Sequence, residues 1–310
     1  MLLNEFLGAA ALIGFVATVG AVELVLLCGW TVERLTGVPR GGFVRRLRIP
    51  WSVLSGLLLC AAVWATAVEP GRFEVTRHRV EAPGLPEGFR MRILQLSDLH
   101  LEGEGPAAAW AARTVVQEAP DLIALTGDYL NDWERGKEAF GKLLAGLEAP
   151  CGMAAVVGNY DGFDPATLRS SVITLRGGAH MVSFGGRKIK VFGSDLTEPP
   201  TFARLLQSTA PADYTVVLYH KPEMIELAAG LGADLYLCGH THGGQIRLPF
   251  YGAVITLSSL GKKYECGRYQ VGAMTGYVCR GVGCEGGRVP RMRFLCRPEI
   301  AVFDVIGTAK

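Results

Sequence analysis

Five short apolar runs, each closed by a carboxylate, amide or imidazole side chain, constrain this chain more than any other feature. Residues 91–97 lead into Asp98-Leu99-His100, 121–126 into Gly127-Asp128, 154–157 into Gly158-Asn159, 214–219 into His220, and 234–238 into Gly239-His240-Thr241-His242. Runs of that length, bounded by polar residues, read as strands. Residues 106–118, 133–147, 165–171 and 222–229 between them read as helices, with Pro222 suited to a first helical turn. Such alternation makes an α/β fold, in which ligands gather at the carboxyl ends of the strands. A lone Asp or His after a strand is ordinarily a turn residue. Here four of the six histidines in the chain hold such positions, together with two aspartates and an asparagine. As a set they point to a site.

The second half turns β-rich. Residues 172–175, 179–184 and 188–192 have strand character, as do the segments around Val254, Met274 and Ile300, and Gly177-Gly178 and Gly185-Gly186 are candidate hairpin turns. Two packed sheets with helices outside fit the whole pattern. A net charge of +2 gives no electrostatic case for nucleic acid as a partner. The eight cysteines include no C-x-x-C pair, which argues against a zinc ribbon or a thioredoxin-type site. Cys28 and Cys60 lie in apolar stretches, and buried thiols are favoured over the one or two disulfides that Cys266, Cys279, Cys284 and Cys296 admit.

Apolar residues make up 49% of the 310 and charged residues 19%, and the apolar excess sits in the first seventy positions. Residues 6–22 are uncharged, Glu23 interrupts, and apolar character resumes over 24–30; residues 51–68 are unbroken. About twenty apolar residues cross a bilayer as a helix, so residues 1–70 are expected to form a two-helix membrane anchor. Glu23 at mid-bilayer would cost on the order of 2–3 kcal/mol, which places it near an interface or against the second helix. The connection carries Arg34, Arg40, Arg45, Arg46 and Arg48 against Glu33 alone. The positive-inside rule puts that loop in the cytoplasm and the following domain outside the cytoplasmic membrane. Arg45-Arg46 and Ala65-Thr66-Ala67 have the look of export-signal features. Pro83, Gly84, Pro86 and Gly88 mark residues 71–88 as a linker, leaving a soluble domain over 89–310.

Carboxylate oxygen and imidazole nitrogen suit divalent Mn, Fe or Zn. Two such ions share a bridging carboxylate, turn a bridging hydroxide into a nucleophile at neutral pH and neutralise phosphoryl charge. Arg247, Lys262, Lys263 and Arg280 follow the last motif as candidates for a substrate phosphate. With these motifs the sequence resembles the calcineurin-like metallophosphoesterase superfamily, following its D-x-H, G-D, G-N-H-[DE], H and G-H-x-H pattern in order between about residues 91 and 300. Residues 239–249, Arg280-Gly281-Val282-Gly283 and residues 293–300 are similar to the branch with N-terminal transmembrane helices. The resemblance implies a four-layer α-β-β-α sandwich holding two metal ions. Asp98, His100 and His242 would hold one ion, and Asn159, His220 and His240 the other, with Asp128 bridging. Asp128, Asn159, Tyr160 and Asp161 would form the catalytic set, and Gly243 and Gly244 would border the substrate with Arg247.

One position departs from the family pattern. Tyr160 stands where the family has a histidine that contacts the phosphate and protonates the leaving group. A phenol is neutral at pH 7 and supplies no cation, which favours an activated leaving group, as in a diphosphate, over an alkyl monoester. Some relatives are similar to UDP-2,3-diacylglucosamine hydrolases of lipid A synthesis. The expected function is therefore membrane-anchored hydrolysis of a phosphoester or phosphoanhydride, with such a lipid-linked substrate its sharpest form. That substrate is cytoplasmic, so a domain outside the membrane would act on an envelope phospholipid or lipid diphosphate instead. The alternatives are a non-catalytic metal-binding scaffold on the same fold and a phosphodiesterase or nuclease of the same superfamily.

Overall fold

The computed structural model describes residues 3–38, 42–167, 169–285 and 291–308. Two long helices come first, α1 (Leu3–Thr36) and α2 (Gly42–Val63), the second prolonged by helical turns at Trp64–Val68 and Glu69–Gly71. Both are long and apolar enough to cross a membrane, over Ala9–Thr36 and Arg46–Gly71. They meet at a polar point: the Ser52 and Ser55 hydroxyls donate to the Glu23 carboxylate at 3.0 and 3.2 Å, so the acid that interrupts the first apolar run faces the second helix. Large apolar side chains such as Leu24, Val25, Leu57 and Leu59 are exposed, as are Cys28 and Cys60. Arg40 of the connection lies outside the described residues.

Beyond the helices come β1 (Glu74–Ala82), β2 (Arg90–Leu96), α3 (Pro106–Glu118), β3 (Leu122–Leu125), α4 (Trp133–Ala145), β4 (Met153–Ala155), β5 (Val172–Thr174), β6 (Gly178–Phe184) and β7 (Arg187–Gly193). The order continues with α5 (Pro199–Gln207), β8 (Tyr214–Leu218), α6 (Ile225–Gly230), β9 (Leu235–Cys238), β10 (Arg247–Leu248), β11 (Gly252–Ala253), β12 (Gly267–Val271), β13 (Met274–Val278) and β14 (Glu299–Gly307). One six-stranded sheet runs β1-β14-β2-β3-β4-β5 and the other β12-β13-β9-β8-β7-β6. Strands covered on both faces must be apolar throughout, and the central strands are. Ile93, Leu122, Ala154 and Phe303 of the first sheet pack on Val191, Val216, Leu235 and Tyr277 of the second. The outer face of the first sheet takes Val115, Phe140 and Leu143 from α3 and α4, and that of the second takes Phe202, Leu206 and Ala228 from α5 and α6. The layers are α-β-β-α, as the family resemblance implies.

Residues 71–88 are not a linker throughout. Residues 74–82 form β1, parallel to β14 in the register Glu74↔Glu299 to Ala82↔Gly307, and the Pro/Gly stretch merely turns the chain into β2. As an edge strand, β1 is half exposed and carries charges; Arg77 pairs with Glu118 of α3. Residues 165–171 contain a single 3-10 turn, Pro165–Thr167, instead of a helix, and Leu168 lies outside the described residues. Gly185-Gly186, at φ +56° and +71°, turn β6 into β7 as expected, whereas Gly178 opens β6 instead of turning a hairpin. Ala65-Thr66-Ala67 is helical, with Ala65 buried and its carbonyl accepting from Arg293 N at 2.8 Å.

Candidate metal centre

The ends of β2, β3, β4, β8 and β9 bring all seven expected ligands together. Asp98, His100 and His242 form one buried group and Asp128, His220 and His240 another, the candidate donor atoms of each lying within 4.8 Å of one another. Asp128 reaches both: its Oδ2 lies 3.1 Å from His220 Nε2 and 3.9 Å from His100 Nε2. Asn159 Oδ1 sits 3.1 Å from His220 Nε2. His242 Nε2 is 3.3 Å from Asp98 Oδ1 and 3.0 Å from His100 Nε2.

Three of the four imidazoles are oriented from behind by an acceptor, as metal-binding histidines ordinarily are. His100 Nδ1–H donates to Asn131 Oδ1 at 2.7 Å and His220 Nδ1–H to the Thr126 carbonyl at 2.8 Å, which aims both Nε2 atoms inward. His240 donates through Nε2 to the Leu257 carbonyl at 3.3 Å, freeing Nδ1. Burial pushes His100 down to about 4 and His242 well below its usual value, so two neutral ring nitrogens confront each other with Asp98 beside them. A divalent cation answers that arrangement of donors, and the residues fit a pair of such ions.

The backbone is bent to make this possible. Asp98, His100, Asp128, His240 and His242 all have positive φ, between +45° and +69°. Such conformations cost on the order of 1–3 kcal/mol each and persist where the surroundings over-determine them. Here neighbouring loops interlock: Asp98 N donates to the Gly127 carbonyl at 2.9 Å, His100 N to Asp128 at 3.1 Å, and Gly283 N to Asp98 at 2.8 Å. The glycines of the G-N and G-H pairs serve close approach. A Cβ on Gly158 would fall 2.1 Å from Asp128 Oδ1, and one on Gly239 would fall 1.9 Å from Asp98 Oδ2.

The family model described as calcineurin-like phosphoesterase matches residues 91–244, the span that carries all seven donors. The uncharacterized metallophosphoesterase YkuE of Bacillus subtilis is 34% identical over 260 residues, covering 79% of this chain and 90% of its own. This chain belongs to the calcineurin-like phosphoesterase family. Phosphodiesterase YaeI of Escherichia coli is 33% identical over 255 residues, covering 77% of this chain and 90% of its own. The UDP-2,3-diacylglucosamine pyrophosphatase LpxG of Chlamydia trachomatis is 27% identical over 316 residues, covering 78% and 92%. The protein is accordingly a hydrolase, a metallophosphoesterase with two candidate clusters for divalent metal ions.

Around the phosphoesterase centre, the other expected residues are placed as follows. The Asp161 carboxylate accepts three backbone N–H groups, from Asp128 at 2.7 Å, Tyr129 at 2.9 Å and Gly158 at 2.8 Å, and so faces the chain that carries the ligands. The Tyr160 N–H donates to Asp128 Oδ1 at 2.8 Å, while its hydroxyl donates to Glu285 Oε1 at 2.6 Å. That bond, with partial burial, pushes the phenol up to about 12. The ring stands edge-on to His100, 5.2 Å between centroids. Gly243 and Gly244 have φ of +61° and +82°, and a Cβ on either would strike Cys296 Sγ or the 253–255 chain. Arg247 is held by Glu265 at 2.8 Å and by the Gly243 carbonyl at 3.0 Å, so its charge is already partnered. Arg280 likewise pairs with Glu74 and Glu299, and Lys263 with Glu226.

Three contributors lie outside the ligand motifs. Asn131 orients His100 from both sides, since its Nδ2 also donates to the His100 carbonyl at 3.2 Å. Arg293, wholly buried, donates to the carbonyls of Arg280, Gly281, Gly283 and Cys296 and lies 3.4 Å from His242 Nδ1. Glu69, at the end of the second helix, accepts from Cys296 N at 2.6 Å, and Cys296 Sγ donates to the His242 carbonyl at 3.1 Å. Asn131 follows the short run after Asp128, and Arg293 opens the 293–300 run that carries the branch resemblance, which assigned it no role.

The centre's charge state dictates how it takes up metal. Burial opposes a charge on His220, yet the carboxylates of Asp128 and Asp98 hold its pKa up at about 9. Burial alone would raise Asp128, but His220 and His100 bring it down to about 2. The metal-free pair is thus an imidazolium and a carboxylate at pH 7, and His220 must shed its proton to bind a metal. Calorimetric Mn²⁺ titrations in buffers of differing ionisation enthalpy are expected to show about one proton released from His220 at neutral pH and a fraction of one from Asp98, whose carboxyl is pushed up to about 7 by burial, with affinity rising as pH climbs toward 9. Uptake independent of buffer and pH would contradict this.

Proposed function

We propose that this phosphoesterase is a two-helix membrane protein that hydrolyses a lipid-linked phosphoester or phosphoanhydride. The observation that carries the proposal is a groove of about 460 Å³ lined by Pro70 and Gly71, where the second helix ends, and running to the main chain of His100, whose buried imidazole faces the metal centre behind it. A substrate with its acyl chains in a bilayer could approach the metal centre along it. The exposed apolar side chains of both helices support the bilayer as partner, since contiguous apolar surface of that extent seeks lipid.

Asp98, His100 and His242 would hold one ion and Asn159, His220 and His240 the other, with Asp128 shared. When bound, the ions would supply Lewis acidity and an activated water. Asp161 acts by fixing the Asp128 and Gly158 backbone, and so positions the shared carboxylate. Tyr160 keeps its proton and shares it with Glu285, which suits a leaving group that departs without strong acid help. Gly243 and Gly244 let the chain turn tightly beside the metals, and Arg247 steadies the hairpin that follows at the rim. The arginine-rich connection supports a domain outside the cytoplasmic membrane, hence an envelope lipid phosphate or diphosphate as substrate. UDP-2,3-diacylglucosamine, named for LpxG, would require the domain to face the cytoplasm.

Purified full-length protein in detergent with Mn²⁺ tests this against a lipid diphosphate, UDP-2,3-diacylglucosamine, bis-p-nitrophenyl phosphate and glycerol 3-phosphate, an alkyl monoester. Metal-dependent turnover of a lipid-linked substrate should exceed that of an alkyl monoester at least roughly tenfold. UMP release would identify the nucleotide lipid as the substrate. A preference for soluble monoesters would overturn the lipid assignment.

A further inference from the structure

A second cavity, of about 620 Å³, lies away from the metal centre, where the second helix meets the domain. The helix and its last turn contribute Cys60, Ala61, Trp64 and Glu69, and the domain contributes Arg72, Glu74, Arg280, Phe294, Leu295 and Arg297. Both carboxylates are already engaged, Glu69 by Trp64 Nε1 and Cys296 N and Glu74 by Arg280. Its place along the helix is informative. The apolar run ends at Val68, and at 1.5 Å per residue Cys60 lies roughly 12 Å back along it. Residues 294–297 therefore rest beside the last turns of the apolar helix, not beyond its end. The contact is bonded: Arg293 N donates to the Ala65 carbonyl and Cys296 N to Glu69.

The charges in this cavity are unequal in their commitments. The Arg280 guanidinium is taken by Glu74 and Glu299. Among the described residues, neither Arg72 nor Arg297 has an acidic partner; Arg72 lies over the Trp64 ring at 5.1 Å. Leu295 is half exposed at φ +53°, presenting its side chain beside the cationic pair. Two free guanidiniums, an indole and an exposed leucine at the end of an apolar helix match one chemistry. A phosphate meets the arginines, and an acyl chain meets the apolar wall.

We infer that this cavity binds the headgroup of an anionic bilayer phospholipid, with Arg72 and Arg297 on the phosphate and Trp64 and Leu295 against the first methylenes. The site rests on the membrane-anchor reading and adds to it: the domain is seated on the lipid surface, not suspended above it. Seating of that kind fixes the groove beside Pro70 and Gly71 at headgroup level.

The test uses full-length protein in nanodiscs of mixed phosphatidylglycerol and phosphatidylcholine. A photo-crosslinking amino acid is placed at Leu295 or, as a reference, at Leu57 in the apolar helix. Phosphatidylglycerol retained on release from the nanodiscs is counted by native mass spectrometry. Wild type should retain phosphatidylglycerol and label lipid from both positions. The Arg72→Ala/Arg297→Ala double variant should retain roughly 30-fold less, as expected for losing two basic contacts at a lipid surface. Arg113→Ala, an exposed arginine on α3, should behave as wild type, and unchanged turnover of bis-p-nitrophenyl phosphate would show the double variant folded. Lipid labelling from Leu57 without labelling from Leu295, or undiminished retention in the double variant, overturns the headgroup site and leaves the anchor standing. Absence of labelling from Leu57 overturns the anchor, and the site with it.

Discussion

Asp128→Asn is expected to lower kcat/KM for bis-p-nitrophenyl phosphate by roughly 10³-fold or more, since it removes a charge that both metal groups share. The carboxylate lies 3.1 Å from His220 and 3.9 Å from His100. An amide of the same shape keeps the bond from Tyr160 N and so preserves the loop. It cannot neutralise two cations, and the second ion should bind far more weakly. His220 would also lose the partner that keeps it protonated, and the proton released on metal uptake should vanish with it. Metal content and steady-state kinetics on the same preparation decide the matter. A variant that keeps two ions per chain and stays within tenfold of wild-type activity would remove Asp128 from its shared position.

The second large effect is expected at a residue that touches no substrate. Arg293→Met should cost on the order of 4 kcal/mol of stability, because a buried carbonyl left without its donor costs about 1–3 kcal/mol. Three carbonyls are in that position, those of Arg280, Gly283 and Cys296, while that of Gly281 keeps its bond from Glu299 N at 2.9 Å. The chain they belong to presses on the first metal group: Val282 N donates to the Ser97 carbonyl at 3.1 Å, and a Cβ on Gly281 would lie 2.5 Å from Asp98 Cβ. Affinity at the Asp98–His100–His242 group should therefore fall roughly 10–100-fold, the usual penalty for removing support behind a ligand. Chemical denaturation in detergent and metal titration give the two numbers. An unaltered midpoint would mean that water replaces the guanidinium.

The seven candidate ligands were legible in the sequence because each lies within four residues of the end of a strand buried on both faces. Burial makes the strand uniformly apolar, and the abrupt return of polarity at Asp98, Asp128, Asn159, His220 and His240 marks where it surfaces in the cleft. The same logic failed at β1. Its residues, Glu-Val-Thr-Arg-His-Arg-Val-Glu-Ala, serve an edge position with charges turned to α3 and to water, and alternation that mixed looks like a linker beside Pro83 and Gly84. The supporting residues were hidden for a different reason. Arg293 acts on His242 from 51 positions away, and Glu69 reaches Cys296 across 227, so no local spacing could join them. Asp161 adjoins a motif, but its engagement is with backbone amides, which no side-chain pattern encodes.

The placement of β14 has a consequence for how the protein is made. Glu299–Gly307 is the last strand in chain order, yet it lies between β1 and β2, parallel to one and antiparallel to the other. Until it has left the ribosome, β1 has no neighbour and the first sheet has an open flank where Asp98 and His100 must be held. The strands that carry the metal centre therefore depend, for the completion of their sheet, on a segment some two hundred residues further along the chain.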